Sequence, residues 1–251
     1  MSTSSSVTDF FNHIATTYQR RLDGTRPFLS YFFSKRLQLA TAGLSLSHRN
    51  ILDVGAGTGA LFDYLQQQAI PNHYFACDLA DQMLVHSRIP IEKRFVGSIQ
   101  QLPDTLDAFD YIFFLGVSSY MSIKAFRLDL LEAAVRLHKK GQIVVSFTHQ
   151  GGLDYRLRSI LHRLFPKGAR SKRVITQAFQ IQAYTPTEVL ELASTHFQIS
   201  TIRWLPPTIP GLHHLSPTLA VYLSKFLDRH LSLPFLQQLL STDFIVILEK
   251  H

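Results

Sequence analysis

The sequence predicts an open, doubly wound α/β sheet, and three observations carry that prediction. Short apolar runs alternate with stretches of helical periodicity, the strand–helix–strand rhythm of a mostly parallel sheet. The run 51–54 passes directly through three glycines, Gly55, Gly57 and Gly59, into a helical pattern. The segment 109–115 is apolar almost throughout, as a strand buried on both faces must be. At 251 residues and 46% hydrophobic, the chain fits one large domain. It divides into an N-terminal helical cover (1–45), a core (46–149), a basic lid segment (150–183) and a C-terminal part of the sheet (184–251) with a helical insertion at 205–241.

Two helices come first. Residues 7–18 repeat Phe10, Phe11, Ile14 and Tyr18 at helical spacing, and residues 28–42 repeat Phe28, Tyr31, Phe32, Leu39 and Ala42. The strand 51–54, with Asp53 in it, then enters the glycine turn. Glycine accepts positive φ and has no Cβ, so a ligand can approach the backbone closely. The helix that follows offers unpaired N–H groups and a positive dipole end, which suits a nucleotide-like ligand. Leu61, Tyr64, Leu65 and Ala69 form the stripe of that helix, and Pro71-Asn72 breaks it. A second strand from His73 ends at Cys77-Asp78. An acid there, about twenty residues beyond the turn, can accept hydrogen bonds from both ribose hydroxyls; an N-cap for the next helix is its other reading.

Residues 94–96 form the third strand and 109–115 the fourth, with Leu115, Gly116, Val117 and Tyr120 leaving its C-terminal end, where open α/β sheets bind ligands. Phe126, Leu130, Leu131, Ala134 and Leu137 stripe the next helix, with Gly141 expected as its C-cap behind Lys139 and Lys140. Residues 143–147 are the fifth strand. His149 follows at the same edge, where a histidine can act as a general base or simply satisfy a loop. Residues 154–173 read as a basic amphipathic helix carrying Arg156, Arg158 and Arg163, suited to an anionic membrane surface, an anionic substrate or nucleic acid, or to solvent. Thr185-Pro186-Thr187-Glu188 is a capping box opening a helix to about Ser194. Residues 197–204 make the sixth strand, and 243–249 the last. His213-His214 has no metal-ligand companions, so no metal is expected.

Composition bounds the setting. The single cysteine, Cys77, allows no internal disulfide and fits a reducing, cytoplasmic compartment. Residues 1–6 have no apolar signal-peptide core, and no apolar run is long enough to span a bilayer. The net charge of +7 favours anionic partners without naming one.

Two further patterns narrow the ligand. Gly55-x-Gly57-x-x-Ala60 fits the loose dinucleotide fingerprint. Asp53 followed by Gly55-x-Gly57-x-Gly59 is narrower, and resembles the first motif of class I S-adenosylmethionine-dependent methyltransferases. Asp78-Leu79-Ala80-Asp81-Gln82-Met83-Leu84 resembles that family's second motif, and the chain is most similar to its small-molecule (type 11, ubiquinone-menaquinone-like) group. The resemblance implies a seven-stranded, mostly parallel Rossmann-like sheet whose last strand inserts antiparallel between the fifth and sixth. It implies S-adenosylmethionine as cofactor, held by Asp53, Gly55, Ala56, Gly57 and Gly59 at its methionine portion, by Asp78 at the ribose, and by Leu79 and Met83 beside the adenine, with Leu115 and Gly116 closing the site. The family carries an acid after the third strand that binds the adenine amino group. This chain has Gly97-Ser98-Ile99, so the Ser98 hydroxyl or backbone groups of Ser98 and Ile99 would have to serve.

Tyr18, Tyr120, His149 and Arg156 are the residues expected to face the acceptor, a small, apolar or aromatic molecule such as a quinone-like phenol. An RNA methyltransferase using the basic segment is the alternative. No Asn-Pro-Pro-Tyr-like motif follows the fourth strand, where Leu115-Gly116-Val117-Ser118 stands instead. A non-catalytic S-adenosylmethionine-binding protein and a nicotinamide oxidoreductase are further readings, against which the intact turn and Asp78, and the last strand, respectively argue.

Overall fold

The computed structural model describes residues 3–18, 24–164, 181–193 and 195–250. Strands β1 (Asn50–Val54), β2 (His73–Asp78), β3 (Arg94–Val96), β4 (Phe109–Phe114), β5 (Leu137–Thr148), β6 (Phe197–Trp204) and β7 (Asp243–Lys250) form one sheet in the order β3-β2-β1-β4-β5-β7-β6. All pairings among β1 to β5 are parallel. β7 is antiparallel to both β5 and β6, so the expected insertion of the last strand is found. The order reverses at β1, and the cleft beyond its C-terminal end is the switch point where such sheets take ligands.

Helices α1 (Thr3–Tyr18) and α2 (Pro27–Thr41) precede the sheet; α3 (Ala60–Gln67), α4 (Asp81–Val85), α5 (Ile123–Arg136), α6 (Leu153–Leu164) and α7 (Pro186–Ala193) connect strands. Between β6 and β7 stand α8 (Leu212–Leu215), α9 (Pro217–His230) and α10 (Pro234–Leu240). One core layer joins α5, α7 and a sheet face through Phe109, Phe114, Phe126, Phe147, Phe197 and Phe244. The other packs α2 and α3 on the opposite face through Leu37, Ile51, Leu61, Leu65, Phe113 and Ile245.

Several boundaries differ from the sequence expectation. Ala69 is outside α3: it adopts φ +52°, and Ile70 N donates to Leu65 O while Ala69 N donates to Gln66 O. That is a Schellman ending, with alanine where glycine is usual. Gly141 does not cap α5. The helix stops at Arg136, whose buried guanidinium donates to the carbonyls of Leu102, Pro103 and Leu106 and, through Nε, to Glu132. Leu137 is already extended, and 138–141 bulge out between the pairs Phe109↔Leu137 and Tyr111↔Gln142. Gly141 fits because a Cβ would stand 2.9 Å from Phe109 O. The expected helix 154–173 is described only as Leu153–Leu164, and its remainder lies outside the described residues, as does Ser194. The capping box is present: Thr185 N donates to Glu188 Oε2 (2.7 Å) and Glu188 N to Thr185 Oγ1 (3.2 Å).

Candidate active site

The C-terminal ends of β1, β2 and β4, with α1 and α2 above them, enclose a cavity of about 340 Å³, within the ~300–1,000 Å³ range of small-molecule sites. Its floor is the glycine turn. Gly55 and Gly57 adopt φ +69° and +56°, a region where a side chain is strained. Space forbids one at Gly55, where a Cβ would collide with the Val117 side chain, and is tight at Gly57, where it would come 3.2 Å from Met83 Cε. The turn is therefore bare backbone facing a cavity.

Asp78 anchors the turn. Its Oδ2 accepts from Gly57 N (2.7 Å) and its Oδ1 from Ala80 N (2.8 Å). Burial raises its carboxyl pKa, opposed by the backbone N–H groups of Ala80, Gly57 and Leu79. Both the ribose-acid and the helix-entry readings of Asp78 share this geometry, although the N-cap of α4 itself is Ala80. A carboxylate has about four acceptor lobes, so capacity is left for a diol. Thr58 lines the cavity, and its buried hydroxyl has no partner among the described residues. Bare turn, acid with spare acceptors and orphaned hydroxyl fit the amino acid and ribose parts of S-adenosylmethionine.

Asp53 is 3% exposed and accepts a 2.6 Å hydrogen bond from the Tyr74 hydroxyl. Burial is the chief cause of its carboxyl pKa being pushed up to about 7; the Tyr74 bond opposes the rise and the Asp78 charge adds to it. The folded carboxyl thus keeps its proton where the unfolded one, at 3.8, has lost it. Its contribution to stability is full below the unfolded pKa and is lost as pH rises to the folded one, by roughly 4 kcal/mol. A cationic ammonium beside Asp53 favours the ionised form. S-adenosylmethionine affinity should therefore climb between about pH 5 and 7 and level off above, by up to about tenfold per pH unit, and calorimetry should show a flatter profile for Asp53→Asn.

Of the other expected cofactor residues, Ala56, Gly57, Leu79, Met83, Ser98, Leu115 and Gly116 line the cavity, as does Gly55. Gly59 does not line it; it is the N-cap of α3. Ile99 has moved into the core, wholly buried beside Leu102 and Phe109, because the short 3-10 turn Ile99–Gln101 packs its first side chain under α5. Tyr18 and Tyr120 line the cavity, each in edge contact with Phe11 (6.1 and 5.1 Å).

His149 is not brought to the cavity. It is 7% exposed, packed against Trp204 and Phe244 at 4.8 and 5.8 Å, with Nδ1 3.3 Å from Ser241 O. Burial lowers its pKa. β7 inserted beside β5 covers the ring, which the strand-end position alone did not reveal. Arg156 is exposed on α6 and also away from the cavity. Arg158 pairs with Asp154 at 2.8 Å; the side chain of Arg163 lies outside the described residues. The histidine pair is likewise remote, with His213 stacked on Phe28 at 4.9 Å, and no metal-binding cluster occurs among the described residues.

Arg36 was not anticipated. It is the one cation among the described lining residues. Its Nη2 donates to Asp243 Oδ2 at 2.8 Å, and it lies over the Phe33 ring at 5.1 Å. Its Nη1 stands 3.1 Å from where a Cβ on Gly116 would be. Nothing in the local pattern of α2 marks Arg36, since the strand end it meets is two hundred residues away. Gln100 and Asp129 also line the cavity and were not singled out.

Residues 52–143 match the family model described as a methyltransferase domain. No curated protein matches the chain in sequence. Among solved structures, magnesium protoporphyrin IX methyltransferase from Synechocystis PCC 6803, with bound S-adenosylhomocysteine, is 12% identical with a TM-score of 0.65 over 100% of both chains. A methyltransferase from Thermotoga maritima described as a possible histamine N-methyltransferase is 14% identical, TM-score 0.60, over 96% of this chain and 97% of that one. The 1,6-didemethyltoxoflavin-N1-methyltransferase of Burkholderia thailandensis is 13% identical, TM-score 0.58, over 98% of this chain and 88% of its own. These likenesses cover both the sheet and its helical additions. The methyltransferase-domain match thus runs from within β1 into β5, on a fold that the chain shares with S-adenosylmethionine-dependent methyltransferases.

Proposed function

We propose that this methyltransferase modifies a small, largely apolar acceptor of aromatic character. The observation that carries the reading is the cavity wall beyond the glycine turn, where Val7, Phe11, Tyr18, Phe33, Leu37 and Tyr120 supply an apolar, ring-rich surface under α1 and α2. Bound S-adenosylmethionine would supply a methyl group on a positively charged sulfur. The work left to the chain is to hold a nucleophilic atom in line with that methyl and to keep water out; such positioning can be worth about 7 kcal/mol or more. Phe11, Tyr18 and Tyr120 would sandwich the acceptor, and Arg36 would offer donors to an anionic or carbonyl oxygen on it or on the cofactor. The structural neighbours support a small acceptor, being described as acting on magnesium protoporphyrin IX or carrying bound 1,6-didemethyltoxoflavin.

No helix among the described residues is long and apolar enough to cross a membrane. Contact with an anionic surface through α6 is retained as part of the proposal, on the exposed Leu157, Ile160 and Leu161 beside Arg156. The test supplies methyl-labelled S-adenosylmethionine with a panel of phenols, quinols and heteroaromatics, and with structured RNA as the opposing arm. Label in a solvent-extractable product is the expected result; label retained on RNA alone would replace this reading with the nucleic-acid one.

A further inference from the structure

We propose that Asp129, on α5, reads the amino group of the cofactor's adenine, taking over the task of the acid that this chain lacks after β3. The inference rests on the S-adenosylmethionine reading of the cavity. Ser98 stands at the family's acidic position, and its polar groups are turned inward: both its N and its Oγ donate to Gln101 Oε1, at 2.9 and 3.3 Å. No carboxylate is presented there. Two residues on, Gln100 Nε2 donates to Asp129 Oδ1 at 2.7 Å, and both side chains border the cavity.

Asp129 is 5% exposed. Among the described residues it has no cation within ion-pair distance and no hydrogen bond besides that from Gln100. A carboxylate so deep is rarely left without a partner, and one neutral amide does not offset its desolvation. Its environment raises its pKa, through burial first and the Glu132 charge second, against the Gln100 bond. Asp129 thus reaches the cavity with acceptor capacity in hand, and what it lacks is a donor.

Place determines which donor. Asp78 marks the ribose at the end of β2. On the β1 and β4 side of it lie the glycine turn, Gly116 and Arg36, which suit the methionine portion. Beside Leu79, which follows β2, lie Gly97, Ser98 and Gln100 from the segment after β3, and Asp129 is joined to that segment by the Gln100 bond, with Met121, Ser122 and Ala125 lining the entrance to α5. A nucleoside held by its ribose at Asp78 therefore turns its base toward Asp129. Leu79, 51% exposed, offers the apolar surface on which a purine lies flat. The exocyclic amino group carries two N–H donors at the rim of that ring, and a carboxylate accepts one of them. A 6-oxo purine presents an acceptor at the same place, and two acceptors facing each other repel.

The experiment compares S-adenosylhomocysteine with S-inosylhomocysteine, its 6-oxo counterpart, by calorimetry on the full chain. Wild type should prefer the amino form by roughly 10- to 100-fold, the range of a hydrogen bond to a charged group. Asp129→Asn keeps an oxygen for Gln100 and offers an N–H to the cavity, so the preference should collapse or invert while affinity for the 6-oxo form holds or rises. Asp129→Ser, which removes the carboxylate without adding an amide, should collapse the preference as well, and stands in if the asparagine form fails to fold. A full preference surviving in a folded variant would reduce Asp129 to a support for Gln100 and overturn the proposal with the cofactor reading intact. Equal wild-type affinity for the two forms overturns it too. Wild type binding neither form would instead bring down the cofactor reading itself.

Discussion

Asp78→Ala should weaken S-adenosylmethionine and S-adenosylhomocysteine alike by on the order of 100-fold, since the ligands share the adenosine that Asp78 serves. On the proposed ribose contact, loss of its charge-assisted bonds would account for about 1.5–3 kcal/mol. A second effect adds to it. The same carboxylate holds Gly57 N and Ala80 N at 2.7 and 2.8 Å, so the alanine variant frees the middle of the glycine turn and the entry to α4 together. Asp78→Asn keeps one acceptor for the backbone and should fall between the two. Calorimetry reads the result directly, and unchanged affinity in a folded alanine variant would remove Asp78 from the site.

Deleting residues up to about 20 should leave a folded sheet and cut methyl transfer by on the order of 100-fold or more. The seven strands pair without α1, and the two main core layers contain none of its residues. The helix rests on α4 through Ala15, Ala80 and Met83, with Phe11 and Tyr18 alongside, and Asn12 Oδ1 accepts from Gln82 N at 3.1 Å. What it gives the cavity is Val7, Thr8, Phe11 and Tyr18, the side that would face the acceptor and shut out water. Thermal melting with single-turnover methyl transfer separates folding from chemistry. Full activity in a folded truncation would sink the idea that α1 closes the site.

Sequence made legible what is local. The strand-turn-helix at Gly55–Ala60, the acid closing β2 and the capping box at Thr185 each lie within a few residues, and all appear as read. Short apolar runs located the strands. The cap signal at Lys139, Lys140 and Gly141 misplaced the end of α5, because Arg136, reaching carbonyls thirty residues earlier, decides where that helix stops. His149 looked like a site residue from its strand-end position, and only the insertion of β7 shows it walled in by Trp204 and Phe244. Arg36 and Asp129 were invisible for the converse reason: each sits on an ordinary amphipathic helix, and its partner, Asp243 or Gln100, is joined to it by the fold alone.

Ala80 occupies a shared corner. Its backbone N holds Asp78 Oδ1, and its side chain lies in the small apolar cluster on which α1 is seated. The residue that steadies Asp78 is therefore also part of the seat of α1, so whatever a seated α1 adds to ligand affinity, a bound ligand returns to the seating of α1 by the same factor.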